Sequence, residues 1–348
     1  MPKVNILMDG DKVCIAWFKK KIKKFILSTL VEPVEGGTIT GAGTYNEGTV
    51  VTVEATPNPD YDFDHWEGDI QSKWSGLGIT LFSTNNNMRA LSQSFGEQVD
   101  NLLANGFTQL RIDIPTWGNI ADLEISKSAV AIAVAKGANV IWGVGASIEK
   151  LTTASNWPDY RQAILDAAQW AQDNGVYEFQ IGNEEEAHVD GTTMTTVQII
   201  ANLKAVAAEV KAIFTIGKIS YGVQYGYEND WISVGKGEID ILAINVYSYA
   251  AMEWKTRITN MINAFGADGT YITEFGPSYI SLDDYSTDEA VQAAAVTEMI
   301  DYIRASGMKR AIFFCYYDDS RPFGPEGFGV LKTDGTYRLL WQSLINSV

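Results

Sequence analysis

The sequence contains few cysteines and histidines, and this scarcity makes several kinds of site improbable. Its 348 residues include two cysteines, Cys14 and Cys315, and two histidines. Neither cysteine belongs to a spacing typical of metal ligands, so we expect both to pack as small apolar residues. Glu185 and His188 have the i, i+3 spacing of a carboxylate-metal motif, but the pattern occurs once. We therefore expect no metal and no other cofactor.

The sequence also lacks long apolar runs. No stretch approaches the ~18 apolar residues that a membrane span needs, so no membrane-spanning segment is expected. The net charge is −17, although seven lysines lie within the first 24 residues. Because an acidic protein repels phosphate backbones, nucleic acid is not an expected partner. The basic run precedes only a short apolar segment, and we expect no secretory signal within this chain.

Residues 1–70 have the pattern of a small all-β module. Short stretches separated by Gly, Asn, Asp or Pro predict strands near 25–31, 37–41, 50–55 and 61–66. The run from Val34 through Pro57 to Trp66-Glu67-Gly68-Asp69 resembles a bacterial surface repeat of the internalin-B type. That family closes each repeat with a Met-Asp-x-Asp-x-x-Val hairpin, which here stands before the repeat, at Met8 to Val13. Residues 1–19 are therefore either the tail of a preceding repeat or part of a circularly permuted copy.

From about residue 75, strands alternate with helical stretches, which predicts βα units and a parallel sheet. Eight strands, each followed by a helical segment, fit a (β/α)8 barrel of about the usual ~250 residues. A doubly wound open sheet is the alternative, but no Gly-rich phosphate loop supports it. The predicted fold class is α/β, a (β/α)8 TIM barrel over residues 71–348 after the all-β module. The predicted barrel strands are 79–83, 108–114, 140–144, 177–182, 218–222, 239–246, 271–273 and 311–316.

Two of these strands lead into a glutamate. The fourth strand is followed by Asn183-Glu184, and the seventh by Glu274-Phe275-Gly276. In a (β/α)8 barrel, function sits at the C-terminal ends of the strands. Two carboxylates that face each other across a sugar can protonate the leaving oxygen and either attack the anomeric carbon or activate water. We therefore predict Glu184 and Glu274 as the catalytic residues.

The two motifs resemble those of clan A of the glycoside hydrolases. That clan carries its acid/base after an Asn at the end of strand four and its nucleophile at the end of strand seven, as in Asn183-Glu184 and Thr273-Glu274-Phe275-Gly276. The resemblance implies a hydrolase that retains the anomeric configuration. It makes Glu184 the acid/base and Glu274 the nucleophile, and Asn183 a donor to the sugar 2-hydroxyl.

The same resemblance implies further substrate-binding residues. Arg111 matches the clan's arginine near the nucleophile, and Asn245 and Tyr247 lie where the clan places a hydrogen-bond partner of the nucleophile. The clan usually has a Trp at the end of strand eight as a sugar platform. Here that strand ends in Phe314-Cys315-Tyr316, and we expect Tyr316 to substitute.

Several aromatic and acidic residues follow the strands. Candidates for stacking on sugar rings, with ordinary loop packing as the alternative, are Trp117, Tyr225, Trp231 and Trp254. Glu185 and Glu186 directly follow Glu184. We expect these two to be solvated, with contact to a sugar hydroxyl as the alternative.

We predict a retaining glycoside hydrolase that cleaves a β-linked polysaccharide or oligosaccharide, similar to endo-β-glucanases and mannanases. The alternative is a catalytically silent carbohydrate-binding or adhesion protein on a barrel scaffold. We expect an extracellular or cell-surface location. The export signal would then lie upstream of this chain, or the route would be unusual.

Overall fold

The computed structural model describes residues 24–46, 49, 51–64, 74–83, 94–112, 115, 119–145, 153–187, 194–247, 253–276, 289–317, 329–332 and 335–348. The chain divides into two compact units, Met1–Ile70 and Gln71–Val348. The predicted hairpin of residues 1–19, Trp117 and His188 lie outside the described residues.

The described residues of the first unit form two small antiparallel sheets. One pairs β1 (Lys24–Leu27) with β3 (Gly43–Asn46), and the other pairs β2 (Gly37–Thr40) with β4 (Glu54–Pro57). Gly41 turns the chain between β2 and β3 at φ 102°, where a side chain would also meet the Thr52 carbonyl oxygen at 2.5 Å. The sequence did not predict β3 as a separate strand. The strand predicted at 61–66 is wrong over residues 61–64, which form no strand after the turn at Asp60.

The second unit is a closed barrel of eight strands. Neighbouring strands pair in parallel in chain order, and the last strand pairs with the first. The predicted (β/α)8 fold class is therefore confirmed. The strands are β5 Leu77–Leu81, β6 Gln109–Ile112, β7 Asn139–Gly143, β8 Glu178–Asn183, β9 Lys218–Val223, β10 Ile241–Val246, β11 Thr270–Phe275 and β12 Ala311–Phe313.

Helices alternate with these strands. They are α1 Phe95–Ala104, α2 Ile120–Ala135, α3 Trp157–Asp173, α4 Thr196–Ile213, α5 Glu228–Val234, α6 Trp254–Phe265, α7 Glu289–Ala305 and α8 Leu340–Ser347. Capping boxes begin two of them, with Ser94 paired to Glu97 in α1 and Thr195 paired to Gln198 in α4. Each box satisfies backbone N–H groups that the first helical turn leaves unpaired.

Apolar side chains pack in two clusters. The larger one joins strand residues to helix residues such as Val99 and Leu102 of α1. The smaller one consists of Ile141, Ala243, Tyr271 and Ile312, with Ile241 packed against it. Side chains alternate along a strand, so residues two positions beyond Ala243 and Tyr271 share their face. Those residues, Asn245 and Thr273, are buried and polar, and they begin a polar layer at the C-terminal ends of the strands.

Candidate active site

Glu184 and Glu274 lie at the C-terminal ends of β8 and β11 and belong to one hydrogen-bonded cluster. The Asn245 side-chain nitrogen donates to Glu184 Oε1 at 2.7 Å. The Asn183 side-chain nitrogen reaches Glu274 Oε1 at 3.4 Å, and Asn245 contacts Asn183 Oδ1 at 3.5 Å. Thr273 Oγ1 donates to Asn245 Oδ1 at 2.8 Å, which orients that amide. The two asparagines therefore connect the two glutamates.

Glu274 is buried and receives three donors. Arg111 Nη1 lies 3.0 Å from its Oε1, and the Tyr247 hydroxyl lies 2.5 Å from its Oε2. Asn183 adds the longer contact to Oε1. An arginine, a phenol and an amide together fix the orientation of this carboxyl group. Arg111 and Tyr247 therefore both contact Glu274, whereas Asn245, which was expected beside it as well, donates to Glu184.

Gln180 holds Arg111 and Asn183 in place. Its Oε1 accepts from Arg111 Nε at 3.0 Å, and its Nε2 donates to Asn183 Oδ1 at 3.2 Å. Gln180 is not among the residues predicted from the sequence. A polar residue inside a buried strand, three positions before the acidic motif, was the available signal.

Glu184 has a different environment. Its backbone is left-handed, with φ 61°, and its N–H donates to the Gly222 carbonyl oxygen at 2.8 Å. Burial and then the charge of Glu274 raise the pKa of Glu184 to about 7, against the Asn245 hydrogen bond and the Arg111 charge. Glu184 therefore keeps a proton in weakly acidic solution. Gly222 permits this arrangement, because a Cβ there would meet Asn183 Oδ1 at 2.1 Å.

Tyr225 is the predicted aromatic that the structure leaves accessible near this cluster. Its side chain is 44% exposed, and its ring lies 4.6 Å from the guanidinium carbon of Arg257. Arg257 in turn donates to the Asn245 carbonyl oxygen at 2.8 Å. Tyr225 therefore lies on the rim of the site.

The prediction that Trp231 stacks on sugar is wrong, and so is the expectation that Glu185 and Glu186 are solvated. Trp231 is fully buried, and its indole nitrogen donates to Glu186 Oε1 at 2.5 Å. Glu185 and Glu186 are 0% and 1% exposed. Hydroxyl donors from other elements hold both carboxylates, with Tyr160 at 2.6 Å from Glu185 Oε1 and Tyr221 at 2.7 Å from Glu186 Oε2.

Two further aromatic predictions need correction. Tyr316 is fully buried, and its hydroxyl contacts the Asn101 side chain of α1 at 3.0 Å, so its ring does not replace the platform tryptophan. Trp254 packs edge-on against Tyr302 of α7, with ring centroids 5.1 Å apart, in the helical layer. The structure instead places Phe314 near the site. Its half-buried ring meets the ring of Tyr247 edge-on, with centroids 6.3 Å apart. Its position directly after β12 was the signal in the sequence that could have identified Phe314 as a site residue.

The described residues contain neither a metal-binding cluster nor a helix able to cross a membrane. No group of three His, Cys, Asp or Glu side chains among them is placed to hold a metal ion. Within the same residues, every helix is too short or too polar to span a bilayer.

The sequence matches the family model described as the glycosyl hydrolase catalytic core over residues 122–328, a range that includes both glutamates. The chain belongs to the glycosyl hydrolase catalytic-core family. A second match covers residues 27–89 and is described as a divergent InlB B-repeat domain. The resemblance of the N-terminal stretch to internalin-B-type repeats is therefore confirmed, and this glycosyl hydrolase carries such a repeat ahead of most of its barrel.

Solved structures of glycoside-active enzymes have the same fold as this glycosyl hydrolase. A GH113 β-1,4-mannanase aligns at TM-score 0.56 and 12% identity, covering 78% of this chain and 98% of that one. The GH53 catalytic domain of Ignisphaera aggregans aligns at TM-score 0.59 and 16% identity, covering 78% and 95%. A cellulase solved with an inhibitor aligns at TM-score 0.58 and 14% identity, covering 78% and 90%. Among curated proteins, none matches the sequence at a significant level.

Proposed function

We propose that this glycoside hydrolase retains the anomeric configuration and cleaves a β-linked polysaccharide or oligosaccharide by double displacement. The contrast between the two glutamates carries the proposal. Glu274 accepts from Arg111, Tyr247 and Asn183, whereas burial and the charge of Glu274 raise the pKa of Glu184 to about 7. Paired titratable groups in opposed environments mark an acid and a base or nucleophile. Glu184 is accordingly the acid/base and Glu274 the nucleophile.

The reaction follows in two steps. In the first, Glu184 gives its proton to the glycosidic oxygen while a Glu274 carboxylate oxygen attacks the anomeric carbon, and the bond to the leaving sugar breaks. In the second, ionised Glu184 takes a proton from water, the water oxygen attacks the same carbon, and Glu274 is released as a carboxylate. Two inversions at one carbon give net retention.

Neighbouring residues have supporting roles in this proposal. Arg111 and Tyr247 fix the orientation of Glu274, since each donates to a different carboxylate oxygen. Asn183 makes only a long contact of 3.4 Å to Glu274, so its amide is available to donate to the sugar 2-hydroxyl. Tyr225 on the rim and the half-buried Phe314 are the aromatic residues that we propose for stacking on sugar rings.

The proposal extends to domains and location. Residues 71–348 form the catalytic domain and residues 1–70 a repeat-type module, consistent with the two compact units. Repeats of the internalin-B type usually act as spacers or adhesion modules. An extracellular or cell-surface role in polysaccharide degradation follows from that combination.

The test is release of reducing ends from β-mannan, β-glucan, xylan and galactan by the wild type, Glu184→Gln and Glu274→Gln. β-Mannan comes first, because a solved structure of similar fold is a β-1,4-mannanase. We expect activity on one polymer and its loss in both variants. Proton NMR of the first product should show the β-anomer before mutarotation; an α-anomer would overturn double displacement. Glycan binding without turnover on the whole panel would favour the catalytically silent scaffold instead.

A further inference from the structure

The loop that carries Glu184 is held by an unusual set of contacts. Glu184 has φ 61°, a backbone conformation that residues with a side chain rarely adopt and that persists only where the surroundings impose it. β8 ends at Asn183, and its pairing with β9 reaches one residue further through a single backbone bond from Glu184 to Gly222. Other contacts must fix the direction in which the Glu184 side chain leaves the main chain.

Three successive backbone N–H groups supply those contacts. The N–H of Asn183 donates to Glu185 Oε1 at 3.2 Å, and the N–H of Glu184 donates to the Gly222 carbonyl oxygen at 2.8 Å. The N–H of Glu185 donates to the Tyr221 hydroxyl oxygen at 2.9 Å. Two of the three acceptors therefore depend on Glu185 and Tyr221 side chains.

These acceptors are themselves fixed by buried donors. Tyr160, in the first turn of α3, donates to Glu185 Oε1 at 2.6 Å. Tyr221 of β9 gives its one proton to Glu186 Oε2 at 2.7 Å, which leaves its oxygen lone pairs for the Glu185 N–H. Trp231 of α5 donates to the other Glu186 oxygen at 2.5 Å. Glu186 thus sets the orientation of the hydroxyl that receives the loop backbone.

Burying two carboxylates is a costly way to stabilise a fold. Glu185 and Glu186 are 0% and 1% exposed, and apolar residues of similar size commonly stabilise such a position as well or better. Buried polar groups can instead specify one geometry among several. Here both carboxylates act on the backbone that flanks Glu184.

We propose that Glu185 and Glu186, through Tyr160, Tyr221 and Trp231, are positioning residues that aim the Glu184 carboxyl at the glycosidic oxygen. The inference rests on the function proposed for Glu184. It assigns to the pair a role in proton donation to the leaving group and no contact with substrate.

The test exploits the leaving group. Two aryl β-glycosides are compared, each carrying the sugar identified with the polymer panel. The 2,4-dinitrophenolate leaving group departs without protonation, whereas 4-methoxyphenolate needs a proton from the acid. For each glycoside, kcat/KM reports the formation of the glycosyl-enzyme. For Tyr221→Phe and Glu186→Gln we expect kcat/KM to fall about tenfold or more on the methoxyphenyl glycoside and to stay within about twofold on the dinitrophenyl glycoside.

A matched control lies at the opposite end of β8. The Tyr271 hydroxyl donates at 2.6 Å to the buried carboxylate of Glu178, so Tyr271→Phe removes the same kind of bond away from the acid. It should lower the melting temperature and leave the ratio of the two kcat/KM values unchanged. Tyr160→Phe, which retains the ring, replaces Tyr221→Phe if the latter does not fold.

The outcomes separate the two proposals. The positioning role would be overturned if the ratio of the kcat/KM values on the two glycosides equalled that of the wild type in folded Tyr221→Phe, Tyr160→Phe and Glu186→Gln. This holds whether the two values stay constant or fall equally. Glu184→Ala serves as the reference for complete loss of the acid. If Glu184→Ala shows no leaving-group dependence, the assignment of Glu184 fails, and the positioning proposal fails with it.

Discussion

Replacing Glu184 with Gln should stabilise the protein much more at pH 8 than at pH 5. Burial, followed by the charge of Glu274, raises the pKa of Glu184 from 4.5 to about 7, and the Asn245 hydrogen bond and Arg111 only partly oppose this. Between about pH 4.5 and pH 7 the native state keeps a proton on Glu184 that the unfolded chain has released. Stability therefore falls as pH rises through this window, because the native state binds more protons than the unfolded state.

The magnitude follows from the pKa difference. At about 1.4 kcal/mol per pKa unit, the wild type loses about 3 kcal/mol in all, most of it between pH 5 and pH 8. Because Gln cannot ionise, the Glu184→Gln variant does not lose this stability as the pH rises. The free energy of unfolding of Glu184→Gln minus that of the wild type should therefore rise by about 2 to 3 kcal/mol between the two pH values, measured by urea unfolding with tryptophan fluorescence.

The control is Glu124→Gln on α2. The Glu124 side chain is 63% exposed and pairs with Lys127 at 2.9 Å, so its replacement should change stability by less than about 0.5 kcal/mol at either pH. A Glu184→Gln difference that does not vary with pH would show that Glu184 titrates near the ordinary value of a glutamate. That result would refute the reasoning that makes Glu184 the proton donor.

Three further outcomes are expected. First, kcat/KM should fall as pH rises through about 7, because Glu184 must carry its proton, and a level profile to pH 9 would contradict this. Second, Tyr247→Phe removes the hydroxyl that donates to Glu274 at 2.5 Å. A charged hydrogen bond is worth ~1.5–3 kcal/mol, so kcat/KM should fall about 10- to 100-fold. An unchanged value would mean that the contact does not matter in the transition state. Third, Gly222→Ala places a Cβ 2.1 Å from Asn183 Oδ1 and should lower kcat/KM about 100-fold. Its control is Gly96→Ala in α1, whose Cβ meets the flexible Lys136 side chain at 3.3 Å and Ile132 Cγ2 at an ordinary 3.7 Å. Equal losses in the two variants would contradict the displacement of Asn183.

The barrel was accessible to sequence analysis because its strands are apolar runs that Gly and Pro punctuate. β7 was predicted at 140–144 and occupies Asn139–Gly143, and β9 was predicted at 218–222 and occupies Lys218–Val223. β12 was predicted to reach residue 316 but ends at Phe313, and the apolar Cys315 and Tyr316 beyond it are buried outside the strand. Apolar character predicts burial more reliably than it predicts where pairing stops.

The two glutamates were also accessible, since residue type and position at a strand end suffice to identify them as candidates. Their supporting contacts were not. Glu185 and Glu186 suggested solvated charges, and the hydroxyls that make their burial possible come from Tyr160 and Tyr221, 25 and 35 positions away in the chain. Spacing within one element carries no information about donors on another. Trp231 was misassigned for the same reason, because its partner is Glu186 rather than a sugar.

The separation of the two apolar clusters affects which amino-acid substitutions the fold tolerates. The larger cluster, between strands and helices, holds most of the buried apolar residues described, whereas the smaller cluster inside the barrel contains Ile141, Ala243, Tyr271 and Ile312. Substitutions at rim positions such as Tyr225 therefore disturb few of the contacts that keep the chain folded. In a laboratory selection for a new sugar, accepted substitutions should concentrate at the strand ends and spare buried helix residues such as Leu102. The barrel would then serve as a durable scaffold for evolving new specificities.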